Sequence, residues 1–143
     1  VKRIKDLRTR KVGTHGIQRE ASVEDAVHEL LDKEVGALVV YDGGKMVGIF
    51  TKNDLVTCCS CHPDGIRGLK VEDYMKTGLF TTTVDADLDD VMKVMIDNGF
   101  RHVPVLEGNR VVGMVTSIDI LVHQRADLRG QRDELIRYIQ GSY

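Results

Sequence analysis

Tryptophan is missing from this chain of 143 residues, phenylalanine occurs three times and proline twice, so aromatic bulk and proline-set turns contribute little. No apolar run comes near the roughly 18 residues that a bilayer-spanning helix needs, and no membrane association is expected. Charge of neither sign is in excess: 20 basic side chains face 22 acidic ones, for a net charge of −2 and a pI near 6.2. That balance offers no basic footprint for nucleic acid. No N-terminal signal peptide is visible. Cysteine is confined to Cys58, Cys59 and Cys61. An odd, clustered set is not a disulfide framework, which favours a reducing compartment. The cytoplasm is expected, or the mitochondrial matrix for a chain that has lost a leader. What is present, 42% apolar and 29% charged residues, suits a soluble domain that buries its own core.

The chain carries one unit twice. Ala21–Val56 aligns with Ala86–Leu121 without a gap, at an offset of 65 residues (86 − 21). The identities are Ala21/Ala86, Asp25/Asp90, Asp32/Asp97, Val40/Val105, Gly43/Gly108, Val47/Val112, Gly48/Gly113, Thr51/Thr116 and Asp54/Asp119. Upstream, Ile4-Lys5-Asp6-Leu7 resembles Val71-Glu72-Asp73-Tyr74 after a small length change. The expected organisation is a first repeat over 4–56, a linker over 57–70, a second repeat over 71–121 and a helical tail over 122–143. In that tail Leu128, Leu135, Ile136 and Ile139 have helical spacing.

Each repeat reads the same way. A short strand is predicted at Ile17–Arg19 and again at Thr81–Val84. Ser22 and Asp87 are helix N-cap residues, and each is followed three residues later by an acid, Asp25 or Asp90. Val23, Ala26, Val27, Leu30 and Leu31 then form the apolar stripe of an amphipathic helix, and Leu88, Val91, Met92, Met95 and Ile96 repeat it. Two β-rich runs follow around a glycine-containing turn: Ala37–Tyr41 with Met46–Phe50, and His102–Leu106 with Val111–Val115. A second helix begins after Thr51 and after Thr116. A unit of about 50 residues buries its core poorly, so two should pack together.

This doubled order resembles the CBS domain. So do the segments Gly48-Ile49-Phe50-Thr51-Lys52-Asn53-Asp54 and Gly113-Met114-Val115-Thr116-Ser117-Ile118-Asp119. The family's ligand motif is Gly, two residues, Ser or Thr, two residues, Asp, and both copies are intact. Arg101-His102-Val103-Pro104-Val105 resembles the family's second-strand sequence, and Glu134–Gly141 resembles the tail of stand-alone two-CBS proteins. The implied fold is α/β: two βαββα repeats packed with pseudo-two-fold symmetry, plus a C-terminal helix. The implied function is regulatory, not enzymatic: an adenine nucleotide (AMP, ADP, ATP or NAD) is sensed and the change is passed to a protein partner. A homodimer formed through the helices is implied as well. The resemblance points to Thr51, Lys52, Asp54, Thr116, Asp119, Arg101, His102 and Pro104 as ligand residues, with adenine near Ile17, Thr81 and Thr83. A structural or partner-binding module without ligand, redox-responsive through its cysteines, is the other reading.

The motif also has a physical rationale of its own. A helix N-terminus offers free N–H groups to phosphate, Thr adds a hydroxyl, and a carboxylate one turn later can accept a ribose diol. The same spacing fits a Thr N-cap with an acid at N3, a capping box variant, and the two roles are compatible. Gly36 and Ala37 stand where the second repeat has Arg101 and His102, so the two sites are not expected to be equivalent. Cys58, Cys59, Cys61 and His62 lie too close together to converge on one tetrahedral ion, and no metal is expected there. Arg8, Arg10 and Lys11 form a basic run that is a solvated face or, near a nucleotide, a phosphate contact.

Overall fold

A computed structural model of the chain describes residues 2–7 and 15–126. The basic run Arg8–Lys11 and the tail beyond Ala126, with its expected helix and the Glu134–Gly141 resemblance, lie outside the described residues.

Both repeats form the same three-stranded sheet backed by two helices. In the first, β1 (Gly16–Gln18) pairs parallel with β2 (Ala37–Asp42), and β2 pairs antiparallel with β3 (Lys45–Thr51). In the second, β4 (Thr82–Thr83), β5 (His102–Glu107) and β6 (Arg110–Thr116) repeat that order. The bulges recur in register, at Val40/Tyr41 and Val105/Leu106. Helix α1 (Val23–Lys33) is capped by the Ser22 side chain, which accepts from Asp25 N–H at 3.0 Å. Helix α3 (Leu88–Asn98) is capped by Asp87, which accepts from Asp89 and Asp90 N–H. The capping reading therefore holds at both helices. Helix α2 (Lys52–Cys61) runs into the segment read as linker, and α4 (Ser117–Ala126) follows Thr116. The edge strands are shorter than or shifted from their predicted spans. Their extent is set by where β2 and β5 offer partners, such as Val39 to Gly16 and Val105 to Thr82, which is non-local information.

The strands alternate between two environments. Leu38, Val40 and Phe50 point into a core closed by Val23, Ala26 and Leu30 of α1 and Cys58 of α2. Ala37, Val39 and Ile49 point the other way and meet Val111 and Met114 of β6, so the two sheets are joined by a third apolar cluster. With both faces covered, β2 is a nearly continuous buried run, as the sequence Ala37-Leu38-Val39-Val40 suggests.

The opening segments are exchanged between the repeats. The 3-10 turn Val71–Asp73, which begins the second sequence repeat, places a fully buried Val71 in the first core. Its backbone is held there by Val71 N–H to Ala21 O at 3.0 Å and Val23 N–H to Leu69 O at 2.9 Å. Reciprocally, the 3-10 turn Ile4–Asp6 seats Ile4 in the second core, with Ile4 N–H donating to Ala86 O at 3.0 Å. The sequence match between these two segments is thus a structural match, but each completes the other repeat rather than its own.

Candidate functional site

Thr51 ends β3 and caps α2. Its side chain accepts from Asp54 N–H at 3.2 Å. Asp54 Oδ2 accepts in return from Thr51 N–H at 2.8 Å and from Thr51 Oγ1 at 3.0 Å. Thr116 and Asp119 make the corresponding pair at the start of α4, with Thr116 N–H to Asp119 Oδ2 at 3.0 Å and Asp119 N–H to Thr116 Oγ1 at 3.1 Å. Both motifs are reciprocal caps, a device worth about 1 kcal/mol.

Thr51 of the first motif lines a cleft of about 660 Å³ between the repeats, and Asp54, bonded to Thr51 and to Lys76, lies just behind that lining. Thr51, Lys52 and Gly36 line it from the first repeat, Arg101 and His102 from the second, and the segment Lys76–Phe80 crosses it. The expectation that Arg101 and His102 belong with the second motif is therefore amended: they face the same space as Thr51 and Lys52. The reason is the packing of the sheets, which sets the start of β5 across from the end of β3. Gly36 and His102 are opposed there. A Cβ on Gly36 would lie 3.2 Å from His102 Nε2, so the missing side chain of the first repeat makes room for the imidazole of the second.

Other predicted residues lie elsewhere. Ile17 is part of the first core, and Pro104 is fully buried within β5. Thr81 is half-buried ahead of β4, Thr83 is exposed at its end, and neither lines the cleft; Thr82 between them is buried. Thr116 and Asp119 stay with α4 and do not line it either.

Three cationic side chains, Lys52, Lys76 and Arg101, line the cleft, and one buried acid lies beside it. Asp54 has a side chain 11% exposed, and the Lys76 ammonium lies 2.6 Å from its Oδ1. Burial first, then the Lys76 and Arg101 charges, hold the His102 imidazole below its ordinary range; Asp119 opposes them. His102 accordingly binds a proton less readily than a free imidazole does. At the mouth, Phe80 and Phe100 stack with centroids 6.5 Å apart.

Lys76 is the site residue that sequence reasoning missed. Its backbone pairs with Ile49, N–H to O at 2.8 Å and the reverse at 3.0 Å. Gly48 permits this approach, because a Cβ there would lie 2.5 Å from the Lys76 carbonyl oxygen. The signal was available. Carried upstream, the same 65-residue offset pairs Lys11 with Lys76 and Gly13 with Gly78. Residue 11 is outside the described residues, and so are most of the counterparts that would flank the second motif.

Helix α2 buries Cys58 and leaves Cys59 and Cys61 exposed. Burial, the largest cause, pushes the Cys58 thiol up, away from reactivity. Among the described residues no group of three or more His, Cys, Asp or Glu side chains is placed to hold a metal ion, and no helix is long and apolar enough to cross a membrane.

The doubled sheet-and-helix unit and its paired Thr–Asp caps define a tandem module. The family model described as CBS domain matches residues 4–60 and 71–125, and the chain belongs to that family. It is 35% identical over 130 residues to the CBS domain-containing protein CBSX3, mitochondrial, of Arabidopsis thaliana, a match covering 85% of this chain and 62% of that one. The chain thus spans less than two thirds of that relative. Among solved structures it resembles the CBS-domain containing protein ATU1752 from Agrobacterium tumefaciens, with TM-score 0.79 and 29% identity over 86% of this chain and 99% of that one. It also resembles the CBS domain pair of protein MJ0100, solved in complex with 5′-methylthioadenosine and S-adenosyl-L-methionine. There the TM-score is 0.70 and the identity 27%, over 85% of this chain and 94% of that one.

Proposed function

We propose that the chain is a regulatory module, not an enzyme, that binds an adenine nucleotide in the cleft between its repeats and passes the change to a protein partner. The observation that carries this reading is Thr51 at the start of α2, lining a space with Lys52, Lys76 and Arg101 and backed by Asp54, which it and the Lys76 ammonium both contact. The helix N-terminus and three cations suit phosphate, and the carboxylate suits a ribose diol. The adenosine-based ligands of protein MJ0100 support the ligand class. The cations favour AMP, ADP, ATP or NAD over an uncharged nucleoside. Signalling requires the ligand to bind two arrangements of the repeats, or of a dimer, with different affinity.

Self-association is part of the proposal. Leu31 on α1 and Ile96 on α3 are 68% and 69% exposed, and Val56 on α2 is 66% exposed. Leu31 and Ile96 are equivalent by the repeat offset, so the two halves present matched apolar helix faces, which suits a two-fold dimer. The cytoplasm and the mitochondrial matrix both fit a module of this kind.

The test is calorimetry with AMP, ADP, ATP and NAD. Ligand at a hundredfold its dissociation constant should stabilise the wild type by about 2.7 kcal/mol. Asp54→Ala should lose most of the stabilisation arising at the first cleft. Equal affinity in the wild type and in the Asp54→Ala/Asp119→Ala double variant refutes the role of the motif. No binding of any adenine compound at millimolar concentration leaves the ligand-free interaction module.

A further inference from the structure

Lys76 occupies the place the proposed ligand needs. Asp54 Oδ2 is committed to the cap of α2, through Thr51 N–H and Thr51 Oγ1. The other oxygen, Oδ1, is the one left for a ribose, and the Lys76 ammonium holds it at 2.6 Å. The same ammonium reaches Thr51 Oγ1 at 3.3 Å. Its backbone is fixed by the two hydrogen bonds to Ile49, whereas its side chain is 51% exposed and its four-carbon stem can swing. The cation therefore has a fixed origin and a movable head, and Lys52 and Arg101 rim the space into which it would swing.

We infer that Lys76 sets the ligand selectivity of this cleft, pairing with Asp54 when the cleft is empty and with a ligand phosphate when it is filled. The inference rests on the nucleotide reading above. A phosphorylated nucleoside supplies an anion for the ammonium and takes Oδ1 for its diol, so one charged contact is exchanged for two. An uncharged nucleoside must win Oδ1 from the ammonium and gives it nothing but water. A sulfonium ligand adds a second cation and fares worse. The expected order at this cleft is AMP, then adenosine, then S-adenosylmethionine.

A lysine that only touches phosphate and a lysine that also blocks the ribose carboxylate differ in one readout, the affinity for adenosine. Isothermal titration with AMP and with adenosine is done in an Asp119→Ala background, so that the first cleft reports alone, with and without Lys76→Met. If the Asp119→Ala chain does not fold, the comparison is made on Lys76→Met alone. Removing the ammonium should weaken AMP about tenfold, as loss of a charge-assisted contact does. It should tighten adenosine about two- to fivefold, the scale of a half-exposed ion pair no longer competing. Lys76→Arg should keep the AMP preference. If AMP weakens and adenosine is unchanged, Lys76 is a phosphate contact only and the selectivity role falls while the nucleotide reading stands. If both ligands bind and neither responds to Lys76→Met, the role also falls. If neither binds the wild type, the nucleotide reading fails and takes this inference with it.

Discussion

Replacing Gly48 by alanine should be costly for a reason the motif alone does not give. The added Cβ would sit 2.5 Å from the Lys76 carbonyl oxygen, 3.0 Å from Met75 Sδ and 3.2 Å from Met75 Cγ. The methionine can yield, because its side chain is flexible. The carbonyl cannot yield without stretching the pair of hydrogen bonds that ties Lys76 to Ile49. Losing both would cost about 2–3 kcal/mol, at about 1 kcal/mol each plus residual overpacking. Alanine also stiffens the unfolded chain and returns about 0.4–1 kcal/mol. The net expectation is a loss of about 1–2.6 kcal/mol, or a fall in Tm of roughly 3–9 °C for a domain of this size. Urea unfolding of Gly48→Ala measures it, with Gly44→Ala as the comparison. A Cβ on Gly44 would meet nothing within 4 Å, so that variant should stay within about 0.5 kcal/mol of the wild type. Because the displaced backbone carries Lys76, AMP binding should weaken along with stability. If Gly48→Ala unfolds at the same urea concentration as Gly44→Ala, the close approach of the two backbones is wrong.

Three further outcomes are expected. Val71→Ala should cost about 2–3 kcal/mol in equilibrium unfolding, from two buried methyl groups plus a cavity, and a cost below about 0.5 kcal/mol would contradict the seating of Val71 in the first core. His102 binds its proton less readily in the fold than in the unfolded chain, so its contribution leaves stability unaffected above the ordinary imidazole pKa of about 6.5 and erodes it as pH falls below that value. Urea unfolding between about pH 7.5 and about pH 5.5 should therefore show a steeper loss of stability in the wild type than in His102→Gln, and equal slopes would contradict the buried placement of the imidazole. Leu31→Lys/Ile96→Lys should shift light scattering from dimer toward monomer at micromolar concentration, and an unchanged mass would place the contact elsewhere.

Much of the architecture was legible because it is local. Ser22 and Asp87 announced their helices by side-chain chemistry that acts within three residues, and both caps formed as expected. The hairpins followed from Gly43 and Gly108, which take positive φ between β-rich runs. The Thr–Asp pairs were legible as caps for the same reason. The make-up of the cleft was not. Thr51 and His102 are brought together by sheet packing, and Lys76 reaches Asp54 across a repeat boundary, so no window of sequence contains the pair. Ile17 and Pro104 were placed at the ligand by resemblance alone; in this chain Ile17 is buried in the first core and Pro104 within β5.

The exchange of Ile4 and Val71 between the two cores has a consequence for dissection. Each repeat carries an opening segment that is seated in the other repeat's core, so one repeat alone would leave its own core open unless a second chain supplied the missing segment. Halves separated within 62–70 should therefore be poorly folded apart and should recover the native arrangement when mixed, each supplying the plug that the other lacks.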